Sequence, residues 1–95
     1  MEKFQKELTD NLFKAVLSLQ SIEECYSFFE DVCTIKEIQD IAQRLEVARL
    51  LREGKVYNDV AKKTGASTAT ISRVNKAIAY GCGGYKMVLD RITEK

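Results

Sequence analysis

Small polar and basic side chains recur along residues 67–79, where the composition of the chain points most clearly to a chemistry. No acidic residue occurs in this stretch, so nothing there would repel a phosphate group. Small side chains also allow a partner to approach the backbone closely. Successive residues of an α-helix are about 100° apart around its axis. This spacing places five of these side chains on one face: Thr68, Ala69, Ser72, Arg73 and Lys76. This face predicts contact with the base edges and phosphates of nucleic acid.

Two short helices must position that face, and residues 57–79 have the pattern for both of them. Gly65 lies where a first helix has to stop in a left-handed backbone conformation. Ser67 or Thr68 can then cap a second helix, because a hydroxyl accepts from unpaired backbone N–H groups. The positions expected to face inward are Val60, Ala61, Ile71, Val74 and Ile78. This is the layout of a helix-turn-helix whose second helix enters the DNA major groove.

A plain helical hairpin with a solvated polar face is the alternative. The acid-free face rich in Thr, Ser and Ala argues against it, because a merely solvated helix would favour Glu, Lys and Gln. The charge distribution adds support for nucleic-acid binding. The net charge of the 95 residues is only +1. Residues 1–40 hold 4 Lys or Arg and 9 Asp or Glu, which gives −5, whereas residues 41–95 hold 11 and 5, which gives +6. The basic half contains the helix-turn-helix, as expected for a protein that binds phosphate.

The rest of the chain predicts an all-α fold of about six helices in one domain, residues 1–95. An apolar stripe wider than a surface helix needs predicts a first helix over residues 2–19. Capping boxes at residues 21–24 and 34–37 open a second helix and a third, which runs to about Arg52. A glycine-rich connector, residues 81–84, precedes a final helix over residues 84–93. The apolar side chains of that helix are expected to pack back on the rest of the chain: Tyr85, Val88, Leu89 and Ile92. High apolar content in so short a chain predicts that some apolar surface is buried against a second copy.

Catalysis and metal binding are not predicted, since the chain has no histidine. The acid pairs at residues 23–24 and 30–31 are sequence neighbours, which diverge on a helix and do not share a site. Cys25, Cys33 and Cys82 form no C-x-x-C pair and are typical of reduced thiols in a cytoplasmic protein. The glycines at 81–84 match no phosphate-binding loop. No signal peptide or membrane span is found in the sequence, and no cofactor is predicted.

From Thr34 to about Gly81 the sequence resembles the Trp repressor family. The resemblance is carried by Thr34, Arg44, the run Arg-Leu-Leu-Arg-Glu-Gly at residues 49–54, and Gly-Ala-Ser-Thr-Ala-Thr-Ile-Ser-Arg at residues 65–73. It implies a bacterial repressor built as an intertwined, all-helical homodimer. In such a dimer the helices of residues 1–52 and the final helix, residues 84–93, form the dimer core. Such a dimer reads a palindromic site in double-stranded DNA, with half-sites about 10 bp apart or a multiple of that.

The resemblance also implies a corepressor pocket, at Thr34, Arg44 and Arg73. Two arginines can bracket a planar ring and pair with a carboxylate. The chain departs from the family pattern at Val74, where the repressor has glycine, and at Ala77, where it has serine. Valine adds volume where an indole ring would lie, so tryptophan is disfavoured as the ligand and another small corepressor stays open.

The function predicted from the sequence is therefore a DNA-binding transcriptional regulator, most simply a repressor. Thr68, Ala69 and Ser72 are expected at bases or phosphates, and Arg73 is open between DNA and the pocket. The full predicted DNA-binding set is Asn58, Ser67, Thr68, Ala69, Thr70, Ser72, Arg73 and Lys76. The alternative is a helical protein-interaction module without specific DNA binding, which the near-zero net charge and the apolar N-terminal half would suit.

Overall fold

The computed structural model describes residues 2–93 and contains six α-helices, with no β-strand among those residues. The prediction of an all-α fold with six helices is confirmed. The helices are α1 (Lys3–Leu17), α2 (Ile22–Val32), α3 (Ile35–Arg52), α4 (Tyr57–Thr64), α5 (Thr68–Tyr80) and α6 (Gly84–Thr93). No helix within the described range is both long and apolar enough to cross a membrane.

The chain divides after Ile38 into two compact units, and the first contains α1, α2 and the start of α3. Helix α1 is shorter than the predicted 2–19, because the Ser18 hydroxyl donates to the carbonyl of Ala15 at 2.6 Å and closes its last turn. Both predicted capping boxes form. The Ser21 hydroxyl accepts from the amide of Glu24 at 3.1 Å, and Thr34 and Glu37 cap each other at 3.1 and 2.8 Å.

Helices α1 and α2 have wide apolar faces but not one buried residue. Phe4 is 68% exposed, Leu12 41% and Leu17 84%. In α2, Phe28 and Phe29 stack edge to face with ring centroids 5.4 Å apart. Ile22, Tyr26, Phe29 and Ile38 line an apolar cavity of about 220 Å³ together with Cys25. The first unit thus leaves most of its apolar surface open.

The second unit holds the hydrophobic core, which α3 to α6 build together. Its buried members are Val47, Ala48, Leu50, Val60, Ala66, Ile71, Val74 and Leu89. Gly54 ends α3 with φ of 87°, and the amide of Lys55 donates back to the carbonyl of Leu50 at 3.1 Å. The core therefore gathers directly around the two short helices.

Three positions predicted to pack inward do not do so. Ile78 is 39% exposed, because it borders a cavity between α3, α5 and α6. Val88 is also 39% exposed and lines a second cavity, and Ile92, near the end of α6, is 53% exposed. Only Leu89 of the final helix is buried, so α6 is attached to the core through one side.

Candidate nucleic-acid interface

The turn between α4 and α5 is fixed by local geometry that the sequence anticipated. Gly65 has φ of 75°, the left-handed conformation that side chains rarely adopt. Its amide donates to the carbonyl of Ala61 at 2.8 Å and completes the last turn of α4. Ala66, directly after it, is 5% exposed and belongs to the core. The two helices therefore meet at a short, closed turn, as a helix-turn-helix requires.

Thr64 fastens this turn from both sides. Its hydroxyl donates to the carbonyl of Val60 at 2.7 Å and accepts from the amide of Ala66 at 3.1 Å. Its own carbonyl accepts from the side-chain amide of Gln43 on α3, at 3.1 Å. These bonds tie the turn to the longest helix of the chain. Gln43 carries no signal in the sequence that would have identified this role.

Two side chains on the inner face of α5 fix the orientation of this helix about its own axis. Ile71 is fully buried and Val74 is 1% exposed, both within the core that also contains Val60 of α4. Because α5 cannot turn without exposing them, its opposite face is directed to solvent. The residues exposed there include all five that the sequence placed on one face: Thr68, Ala69, Ser72, Arg73 and Lys76.

Ser67 caps α5, so its hydroxyl is already committed. It accepts a hydrogen bond from the backbone amide of Thr70 at 3.1 Å and donates one to the hydroxyl of Thr70, also at 3.1 Å. Thr70 is half-buried, whereas Asn58, in the first turn of α4, is exposed. The first turn of α5 accordingly presents the side chains of Thr68 and Ala69 to any partner that approaches end on.

The electrostatic character of this region is positive. Residues 55–80 contain a single acidic residue, Asp59, and α5 has none in its first turn. Lys62 and Lys63, in the last turn of α4, are exposed beside the turn and were absent from the predicted DNA-binding set. The adjacent lysines that precede Thr64 and Gly65 were the available signal. The basic residues of the region are Lys55, Lys62, Lys63, Arg73 and Lys76.

One acidic residue close to this surface, Glu46, forms an ion pair within α3 itself. Arg49 contacts Glu46 at 2.6 Å and Glu53 at 2.5 Å. Hydrogen bonding to Arg49 lowers the pKa of Glu46, with a smaller contribution from the charge of Lys63. Glu46 is therefore ionised at neutral pH, and Arg49 balances much of its charge.

The residues that the resemblance assigned to a corepressor pocket have different surroundings from one another. Thr34 caps α3, and Arg44 is half-buried on the same helix. Arg73 is exposed on α5, whereas Val74 is packed in the core. Ala77 lines an apolar cavity of about 470 Å³ whose other walls include Ile41, Leu45, Tyr85 and Val88. Val74 is thus a core side chain and not the wall of an open site.

Helix α5 is capped and has an exposed, acid-free face, and a tight glycine turn joins it to α4, which carries lysines. Together these features define a helix-turn-helix protein. Comparison with known proteins agrees. A family model described as Trp repressor protein matches residues 7–93. The chain belongs to the Trp repressor family, whose members are DNA-binding regulators and not enzymes.

One curated relative is similar to the chain in sequence, and two solved structures are similar to it in both sequence and fold. The uncharacterized protein YerC of Bacillus subtilis (strain 168) is 55% identical over 94 residues, which are 99% of this chain and 90% of that protein. The crystal structure of a TrpR-like protein from Eubacterium eligens is 55% identical, with a TM-score of 0.90 over 94% of both chains. A candidate Trp repressor from Staphylococcus aureus is 43% identical, with a TM-score of 0.90 over 100% of this chain and 98% of the other.

Proposed function

We propose that the chain is a sequence-specific transcriptional repressor that reads a palindromic operator as a homodimer. The observation that carries this proposal is the fixed rotation of α5, with Ile71 and Val74 buried and an acid-free face exposed. A recognition helix needs this arrangement, because base contacts demand one orientation in the major groove. A regulator of this kind acts where the chromosome lies, in the cytoplasm of a bacterial cell.

The exposed side chains divide into two roles. Thr68, Ala69 and Ser72 approach base edges from the first two turns of α5. The residues that contact phosphates or flanking bases are Asn58, Ser67, Thr70, Arg73 and Lys76. Hydroxyls and methyl groups make few bidentate bonds to bases, so DNA shape and bridging water contribute to the discrimination.

The apolar surface of the first unit supports the homodimer. A helix whose apolar stripe has no buried member is stable only if something covers that stripe, and large exposed patches mark interfaces. The second unit offers an apolar groove of about 470 Å³ at Ile41, Leu45 and Val88. In a homodimer, the apolar stripe of one copy can cover the apolar groove of the other. Two-fold symmetry repeats this contact, which explains why each chain carries both surfaces.

Modulation by a small molecule is part of the proposal, with tryptophan disfavoured as the ligand. Val74 occupies the core at the position where the family pattern has glycine, and alanine at 77 provides no hydroxyl. These two departures favour a corepressor that differs from tryptophan in shape or in its polar groups.

Selection of bound sites from random duplex DNA, at one moderate salt concentration, tests the proposed function. The expected result is a palindrome with regular half-site spacing, whose binding weakens steeply as salt is raised. Absence of any enriched sequence, combined with salt-insensitive association with a protein, would instead support the interaction-module alternative.

A further inference from the structure

A cavity of about 280 Å³ lies between α3, α5 and α6 in the second unit. Its inner wall is apolar, since Ala48 is fully buried and Leu89 is 2% exposed. Its mouth is polar and includes Arg52, Asn75 and Lys86, which are all exposed. An apolar interior with a few convergent polar groups is typical of small-molecule sites, and this volume is just under the ~300–1,000 Å³ of drug-sized sites.

Positive charge exceeds negative charge at the mouth of this cavity. The carboxylate of Asp90 accepts from Lys86 at 3.0 Å and from Arg52. These two hydrogen bonds, Lys86 first, hold the pKa of Asp90 below its usual range, so one carboxylate faces two cations at neutral pH. The cluster keeps a net charge of +1. A guanidinium has five N–H donors and an ammonium three, so both retain donors for a second anion.

We propose that this cavity binds a small organic monocarboxylate, with its apolar part against Ala48 and Leu89 and its carboxylate at Arg52 and Lys86. One negative charge neutralises the cluster, and a guanidinium binds a carboxylate through charge-assisted hydrogen bonds. A nucleotide is too large for the volume and too highly charged. A neutral apolar molecule would leave the mouth uncompensated.

The cavity is separate from the family's corepressor position. None of the five residues at that position, Thr34, Arg44, Arg73, Val74 and Ala77, lines it. At about 100° per residue, Asn75 and Ile78 lie on one side of Val74, and Arg73 and Ala77 lie on the other.

A ligand in this cavity would contact the recognition helix. Asn75 and Ile78 belong to α5, while the other walls belong to α3 and α6. If the carboxylate binds one arrangement of these three helices more tightly than another, it shifts the protein toward that arrangement. DNA affinity then changes by at most the ratio of the ligand's affinities for the two arrangements. This consequence rests on the proposed function, whereas binding itself does not.

Titration of the full-length protein with phenylacetate, followed by backbone amide NMR without DNA, tests the site. Phenylacetamide is the matched neutral probe. The expected result is that phenylacetate shifts the signals of cavity residues and binds about ten-fold or more tightly than the amide, as a charge-assisted bond requires. No shift up to about 10 mM, which corresponds to under ~3 kcal/mol of binding, or equal binding of both probes, would overturn the proposal.

Four variants, one of them a control, test where the carboxylate binds. Arg52→Gln and Lys86→Gln should each remove most of the preference for phenylacetate over the amide, while Arg91→Gln, elsewhere on α6, should keep it. Asp90→Asn removes the competing carboxylate, and its affinity for phenylacetate should rise. An unchanged preference in all four proteins would contradict the assignment of the carboxylate to this cluster.

DNA binding separates the two proposals. A protein that binds phenylacetate but no specific DNA would refute the proposed function and leave the site intact. A protein that binds its operator with an affinity unaffected by saturating phenylacetate would refute the coupling.

Discussion

The side-chain amide of Gln43 donates to the main-chain carbonyl of Thr64 at 3.1 Å, which joins α3 to the turn of the helix-turn-helix. The two residues are 21 positions apart, and Thr64 immediately precedes the left-handed Gly65. The bond therefore ties the orientation of the reading helices to the helix that carries much of the core.

Replacement of Gln43 by leucine should weaken operator binding more than it weakens the fold. Loss of one hydrogen bond costs about 1 kcal/mol of unfolding free energy, and the turn loses its anchor to α3. Denaturant unfolding and fluorescence anisotropy with operator DNA measure the two effects. Gln39→Leu, an exposed position on the same helix, is the control. Equal operator affinity for both variants would show that this bond does not position the turn.

Thymine methyl groups should be read by the first turn of α5. The Ser67 hydroxyl is used in the cap, and Thr68 and Ala69 expose methyl groups, which contact the methyl of thymine. Replacing a contacted thymine by deoxyuridine removes one methyl and should cost about 0.8 kcal/mol, or about four-fold in affinity.

The variant Thr68→Ser removes the protein methyl and keeps the hydroxyl, so it serves as the partner in a double-mutant cycle. It should lose discrimination against deoxyuridine at the base that Thr68 contacts. Full discrimination by the serine variant at every thymine would assign the methyl readout to other residues.

Lys62 and Lys63 should contact backbone phosphates from the end of α4. For each lysine that contacts a phosphate, a change to glutamine should reduce the slope of log affinity against log salt by about 0.9. The relative preference for operator over random DNA should stay the same, because phosphates carry no sequence information. Lys14→Gln on α1 removes the same charge and should leave the slope unchanged. Unaltered slopes for the α4 variants would place the DNA elsewhere.

Leu12→Glu should dissociate the proposed dimer. Leu12 is 41% exposed on the apolar face of α1, and a carboxylate buried in the interface would lose its hydration. Sedimentation velocity should show the mass falling to that of the 10.8 kDa monomer. Lys14→Gln, which changes the net charge equally, should remain dimeric. A wild-type protein that sediments as a monomer would refute the dimer directly.

Local signals in the sequence predicted the reading helices well. Gly65, Ser67 and Ile71 have roles that depend on residues within one or two turns of each, so spacing alone identifies them. Ile78 and Val88 were predicted wrongly for the opposite reason. Helical spacing shows which side chains share a face, but whether that face meets core, cavity or solvent depends on helices distant in sequence.

Contacts between residues far apart in the chain also could not be predicted from the sequence. Gln43 with Thr64, and Arg52 with Asp90 across 38 positions, are polar pairs that follow no periodic pattern. The cavity at Arg52 and Lys86 exists only because α3, α5 and α6 converge. The candidate DNA-binding residues were predictable, since one short helix carries most of them.

The spacing of the two operator half-sites tests the central claim most directly. Affinity is measured for the selected palindrome and for the same palindrome with five extra base pairs, about half a helical turn, between its halves. A two-fold dimer with fixed reading helices predicts that the longer site binds almost as weakly as random DNA, because its second half faces away. Equal affinity for the two sites would contradict the account.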